Sequence, residues 1–132
     1  MTAIVLSASL TVDGKAISLA KSYTADVVRE YHFDLAAGAV RQFSFDDTYD
    51  GTALKFLYIK ALKSSDLTQE GDVSYGTSDA EASDAANGVA WTEVAGLCVD
   101  WSERALSTLN RFYTYNAGSD RLTLDVVFAL EP

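Results

Sequence analysis

His32 is the chain's one imidazole, which excludes a paired-histidine metal site and makes it the obligatory base of any Ser-His-Asp arrangement. No carboxylate or nucleophile stands at a spacing that marks a partner for it. It lies between Tyr31 and Phe33 on the polar phase of a strand-like run, which points to a surface or structural role. Cys98 has Leu97, Val99 and Trp101 around it and no adjacent base or cation, the setting of a buried, inert thiol rather than a nucleophile. As the sole cysteine it can close no internal disulfide. Asp46-Asp47-Thr48-Tyr49-Asp50-Gly51 gathers three carboxylates and a glycine in one turn, an oxygen-rich composition of the kind Ca²⁺ takes. It lacks the alternating acids and terminal glutamate of an EF-hand loop, and the same residues serve an ordinary turn between strands. Trp91, Trp101 and the seven tyrosines would suit a sugar-stacking platform, although such residues more often fill cores and interfaces. There is no phosphate-cradling glycine loop, no cysteine pair for zinc and no serine elbow. Acidic residues are too abundant for one glycosidase pair to stand out. The expectation is a protein that is not an enzyme and has no cofactor and no metal.

Charge narrows the partners. The chain of 132 residues carries a net charge of −9, and its pI of about 4.3 disfavours phosphate backbones and anionic lipid surfaces. That charge is not spread evenly: the segment from Ser64 to Glu103 contains nine acidic residues and no lysine or arginine. Its densest part, Gly76 to Gly88, is rich in Ser, Asp, Ala and Gly and reads as a solvated loop, as a second cation site or as a docking surface for a basic partner. No apolar run approaches the ~20 residues of a membrane helix. Met1 to Val12 lacks the basic start and small-residue cleavage pattern of a secretory signal, so none is expected. The hydrophobic fraction of 48% suits one globular domain spanning residues 1–132, with an acidic, loop-rich segment at 64–103.

The elements that would position these groups read as strands. Ile4, Leu6, Ala8, Leu10 and Val12 alternate with Ser7, Ser9 and Thr11, and Asp13-Gly14 follows, a dipeptide that accepts positive φ at both central positions of a type I′ turn. Ala16, Ala20, Tyr23, Val27 and Tyr31 also fit a helix face, but the serines, threonine and valines of this stretch weaken that reading. Two strands are expected instead. A small-residue turn at Ala36 to Ala39 precedes alternation of Arg41, Phe43 and Phe45. Leu54 to Leu62 is apolar on both phases, the mark of a central or interfacial strand. Short strands are expected at Val89–Trp91 and Leu97–Val99, with a turn, helical if Asp100 and Glu103 cap it, at Ser102–Ala105. Leu109 to Tyr115 and Leu122 to Leu130 flank the turn Asn116-Ala117-Gly118-Ser119-Asp120. Eight to nine short strands without a long helix predict an all-β, single-domain antiparallel β-sandwich of jelly-roll or Ig-like type.

Laid out this way, the chain resembles the small all-β structural proteins of tailed bacteriophages that form decoration or minor parts of the capsid. The likeness lies in the early hairpin Leu10-Thr11-Val12-Asp13-Gly14 with Ser22-Tyr23-Thr24, the two-faced strand Leu54 to Lys60, Trp91 after a loop, and the closing hairpin from Leu109 through Asn116-Ala117-Gly118 to Leu130. The acidic stretch departs from the pattern, since these proteins usually have a shorter, less acidic strand and turn there. The resemblance implies a virion component made in the host cytoplasm and present in many copies or as a homo-oligomer. Its expected partner is the major capsid protein or another virion protein, with no role for nucleic acid or membrane. Docking is then expected through exposed aromatic residues, with Phe43, Phe56, Tyr58, Phe112, Tyr113 and Tyr115 as the candidates. A tail, baseplate or fibre-associated module is the alternative within virions. A carbohydrate-binding β-sandwich is the alternative from another class, and it would expose Trp91 and Trp101 side by side on one sheet face.

Overall fold

The computed structural model describes residues 2–25, 27–45, 54–77, 91–100 and 111–130, and these form eleven strands joined by antiparallel pairings, with no helix. In chain order they are β1 (Thr2–Val12), β2 (Lys15–Ala25), β3 (Val27–Leu35), β4 (Val40–Ser44), β5 (Leu54–Lys63), β6 (Asp66–Glu70), β7 (Asp72–Gly76), β8 (Thr92–Ala95), β9 (Leu97–Asp100), β10 (Arg111–Tyr115) and β11 (Leu122–Leu130). One sheet runs β4-β10-β7-β8. A second runs β3-β11-β5, with β6 and β9 both on the far edge of β5, and β1 pairs with β2 alone. The antiparallel sandwich is therefore observed, with more strands than expected. The excess arises in the acidic segment, where Asp66–Glu70 and Asp72–Gly76 are strands too polar or too short to announce themselves. Of the strand expected at Val89–Trp91, Val89 and Ala90 lie outside the described residues, and Trp91 immediately precedes β8. The Asp46–Gly51 and Ser102–Ala105 turns lie outside the described residues.

The two sheets close on the alternating face of β11. Leu122, Leu124, Val126, Phe128 and Leu130 all point inward, and β3 supplies Tyr31, Phe33 and Leu35 in register with Val126, Leu124 and Leu122. Phe128 is fully buried and meets Phe112, Phe45, Phe43 and Tyr31 edge-on, at ring-centroid distances of 4.9, 5.2, 5.3 and 5.9 Å. This edge-to-face geometry sets the positive ring edge of one residue on the negative face of the next, a preference beyond simple burial. The Arg41 guanidinium covers the outer rim of the aromatic cluster, 4.1 Å from the Phe33 ring centroid.

Two corners carry the chain from one sheet to the other. β6 leaves the five-stranded sheet at Gly71 to become β7, and β8 returns at Gly96 to become β9. The two corners and β5 are tied in a ring of backbone bonds: Gly71 N–H donates to Ala61 O, Ala61 N–H to Gly96 O, and Gly96 N–H to Gly71 O. At Gly96 the backbone has φ of +80°, and a β-carbon there would run into the Glu70 side chain. A glycine is thus required on both backbone and steric grounds.

Candidate interaction surface

The hairpin β1-β2 projects from the sandwich as an arm. Its turn has φ of 50° at Asp13 and 77° at Gly14, the two positive values of a type I′ turn, so the Asp-Gly signal forms the structure it predicts. The register pairs Leu10 with Ile17, Ala8 with Leu19, Val12 with Lys15 and Leu6 with Lys21, which brings these residues to one face of the ribbon. Ser7, Ser9, Thr11, Ala16, Ser18 and Ala20 occupy the other. At ~3.4 Å per residue an 11-residue strand spans about 37 Å. Most of that length lies free of the sandwich: Leu10, Val12, Ile17 and Leu19 are 60%, 50%, 50% and 58% exposed. A paired ribbon that leaves large aliphatic side chains in water gains no core of its own, since an isolated hairpin is marginal at best.

The base of the arm is anchored, and the anchor explains why β5 is apolar on both phases. One phase of β5 (Leu57, Ile59 and Ala61) faces the sandwich core. The other, Phe56 with Tyr58, lies on the outside of the five-stranded sheet with Val127, Ala129 and Val28, beneath Ile4 and Ala25 of the arm. Burial there raises the Tyr58 hydroxyl above its ordinary pKa of 10.0, and the Asp125 carboxylate adds to the rise.

The six aromatic residues expected to dock a partner divide differently. Phe43 and Phe112 are core residues, Phe56 is buried under the arm, and Tyr113 is fully buried on the outside of the four-stranded sheet against Val40 and Trp91. None of these four is an exposed docking residue, because each sits on a strand whose neighbours cover it. Tyr58 and Tyr115 are half-buried. Among the described residues, five of the seven exposed large hydrophobics (Val5, Leu10, Val12, Ile17 and Leu19) lie on the arm, and the other two are Leu67 on β6 and Leu97 on β9.

The groups with chemical potential also find their places. His32 Nδ1 lies 2.5 Å from Asp125 Oδ1, a cross-strand pair between β3 and β11, and the imidazole side chain is 70% exposed. The carboxylate partner that spacing could not indicate is thus 93 residues away. Beside the pair, Thr123 donates to Asp34 at 2.8 Å and Arg121 approaches Asp34 at 3.5 Å. This is an open sheet face rather than a cleft, and among the described residues no three His, Cys, Asp or Glu side chains converge to hold a metal. Cys98 is half-buried on β9 against the main core. Trp91 packs at 5.2 Å on Tyr115, and Trp101 lies outside the described residues.

At the far end of the sandwich from the arm's base, the Gly71 and Gly96 corners and the 116–120 turn enclose a groove of about 690 Å³. Val73, Val94 and Leu122 lie beneath it as buried core residues, and Glu70, Asp72, Glu93 and Asp120 contribute acids. Lys63 is the one base among the lining residues, and it lies 3.5 Å from Asp120. Asn116 fixes the turn: its side-chain amide donates to Leu35 O and Asp120 O, and its Oδ1 accepts from Gly118 N–H. The stretch expected as a loop or docking surface, Gly76 to Gly88, lies outside the described residues beyond Thr77, and the strands on either side of it border this groove.

Set beside known proteins, the chain matches no family model and no curated sequence.

Proposed function

We propose that this protein is a non-enzymatic structural component of a bacteriophage virion, a capsid decoration or minor capsid protein that stabilises the shell through protein–protein contacts. The observation that carries the reading is the arm: a rigid sandwich presents a two-stranded ribbon whose aliphatic face is exposed, a surface suited to adhesion rather than to turnover. The strand layout described above supports the choice of virion. The partner in this reading is the major capsid protein or another virion protein, and the protein is present in many copies on the particle.

The test is co-sedimentation of the purified protein with assembled capsids, with and without millimolar calcium. Saturable binding at a fixed number of copies per shell is expected, and calcium dependence would implicate the Asp46–Asp50 turn. Absence of binding would overturn the capsid assignment. A tail or baseplate role is the second reading, and one feature favours it. The arm and the acidic groove lie at opposite ends of the sandwich, a polarity suited to rings and filaments.

A further inference from the structure

The arm has two edges, and its sequence guards only one of them. We propose that two copies of the chain join by antiparallel pairing of β1 with β1, so that their arms form one four-stranded sheet in the order β2-β1-β1-β2 and the assembly closes as a dimer.

The first observation is the edge itself. Among the described residues β1 pairs with β2 alone, so the backbone groups on its other side face no strand along a length of 11 residues. An open edge is a template for another chain, and proteins usually protect it with a charge, a proline, a bulge or a cover. Thr2 to Val12 contains no charged residue, no proline and no glycine, and its ladder with β2 runs without a bulge. β2 differs, because its edge carries Lys15 and Lys21. One edge of the ribbon is thus open to pairing and the other is guarded.

The second observation is the space beside the open edge. At the arm's base a recess of about 530 Å³ is lined by Ala3 to Leu6 of β1 and by Val28, Tyr58 and Val127 on the outside of the five-stranded sheet. Among the described residues it borders β1 and not β2, and both phases of β1 line it, so it lies along the strand's edge. Val28, Tyr58 and Val127 are half-buried, and the surface they keep exposed is apolar ground for one more strand. Glu30, the one charged residue among those described there, is itself exposed.

The third observation is register. Full overlap of the two strands centres the two-fold axis on Ser7, the midpoint of Thr2–Val12, and sets Leu10 of each copy beside Ile4 of the other. The apolar positions of both strands then share one face, and Leu10, 60% exposed in the single chain, arrives where the partner's recess lies. No like charges come opposite one another, because β1 has none. The lysine-bearing β2 strands are left on the outside, where they oppose the addition of a third copy. The contact is one strand wide, about 37 Å long and ~5 Å across, well below the ~800 Å² per partner of a standard interface. The dimer is therefore weak and forms as concentration rises.

Sedimentation of the full chain across a thousandfold concentration range tests this. The wild type is expected to pass from monomer to dimer and to stop there. Ser7→Lys with Ser9→Lys puts like charges across the axis, and this variant is expected to remain monomeric. Ser18→Lys with Ala20→Lys changes the positions paired with those two on β2, adding the same charge to the same face one strand further from the axis, and it is expected to dimerise as the wild type does. All four positions are exposed, so both variants should keep the wild-type circular dichroism. Mixing the Ser7→Lys, Ser9→Lys protein with a Ser7→Glu, Ser9→Glu protein should restore a dimer. A wild type that is monomeric throughout overturns the proposal, and so does growth beyond the dimer. Dimers that persist in the Ser7→Lys, Ser9→Lys protein, or that are lost in the Ser18→Lys, Ala20→Lys protein, also overturn it, since either would place the contact away from the β1 edge. A charge-swapped mixture that stays monomeric does the same. None of these outcomes depends on capsid binding, so the inference stands or falls separately from the virion role.

Discussion

β1 and β11 begin from the same pattern and end in opposite environments. Each sets five apolar residues on alternate positions: Ile4, Leu6, Ala8, Leu10 and Val12 in one, Leu122, Leu124, Val126, Phe128 and Leu130 in the other. In β11 all five are at most 2% exposed, whereas Leu10 and Val12 of β1 are 60% and 50% exposed. Period-two alternation thus specifies that a strand has an apolar face, and it is silent on whether the same molecule supplies the cover. What separates the two is their neighbours. β11 lies between β3 and β5 and faces a second sheet, while β1 has β2 alone, with serine, threonine, alanine and the exposed Val5 on the ribbon's other face. The sandwich is held by contacts within the chain; the arm beyond Leu6 is held by its ladder.

The largest consequence falls on the sandwich. Phe128→Ala removes the ring on which four other aromatics converge, and it should cost about 3–5 kcal/mol in chemical denaturation. A loss below ~1 kcal/mol would mean that the closure of the sheets on β11 is wrong, and the contrast with β1 would disappear.

Phe56 tests the boundary between the regions. It is 3% exposed, but what covers it is the arm's base, so Phe56→Ala opens a cavity that the arm can partly fill by settling. A loss of about 2–4 kcal/mol is expected, below that of Phe128→Ala. Amide exchange should accelerate at Ile4 and neighbouring arm residues more than in β11. Equal acceleration in both would show that arm and sandwich open as one unit.

How far the sequence could disclose this division depends on where each signal is local. The Asp13-Gly14 turn, the two-faced β5 and the closing strand Leu122–Leu130 were legible because turn chemistry and alternation act within a few residues. β6 and β7 were not: Asp-Leu-Thr-Gln-Glu is exposed at every position, and its strand state comes from pairing with β5 across a bulge. The burial of four of the six docking candidates was hidden for a related reason. Aromatic residue type signals large buried area equally well for a core and for an interface, and only the sheet order reveals that Phe43 and Phe112 face inward. The His32–Asp125 pair spans β3 and β11, which no spacing rule connects. That Glu70, Asp72 and Glu93 come together with Asp120 was not legible, because the corners at Gly71 and Gly96 depend on backbone bonds to β5.

A smaller effect comes from alkaline pH at the same boundary. The Tyr58 hydroxyl is held above its ordinary pKa, so the neutral form is favoured by folding. Its contribution is fully present below the unfolded value near 10 and is lost as pH rises through the higher folded value. Denaturation between pH 8 and 11 should therefore show the wild type losing stability faster than Tyr58→Phe. Parallel curves would indicate that the arm's base does not desolvate this face of the sheet.

The smallest effect is expected on the arm, and there its smallness is the evidence. Leu10→Ser removes a side chain that is 60% exposed and paired across the ribbon with Ile17, at a position remote from both clusters that hold the sandwich. In dilute solution the unfolding free energy should change by no more than about 0.5 kcal/mol, the usual range for a surface site. A loss comparable to that of Phe128→Ala would mean that the arm is folded against its own sandwich, and the contrast between β1 and β11 would be one of degree. If a second copy covers this face, the substitution acquires a cost that grows with protein concentration, because a partner that binds only the folded arm stabilises it by mass action. Unfolding curves taken at low and high concentration separate the cases. Coincident shifts leave the exposed face without a partner in a solution of this protein alone, whereas a penalty that appears only at high concentration assigns its cover to another molecule.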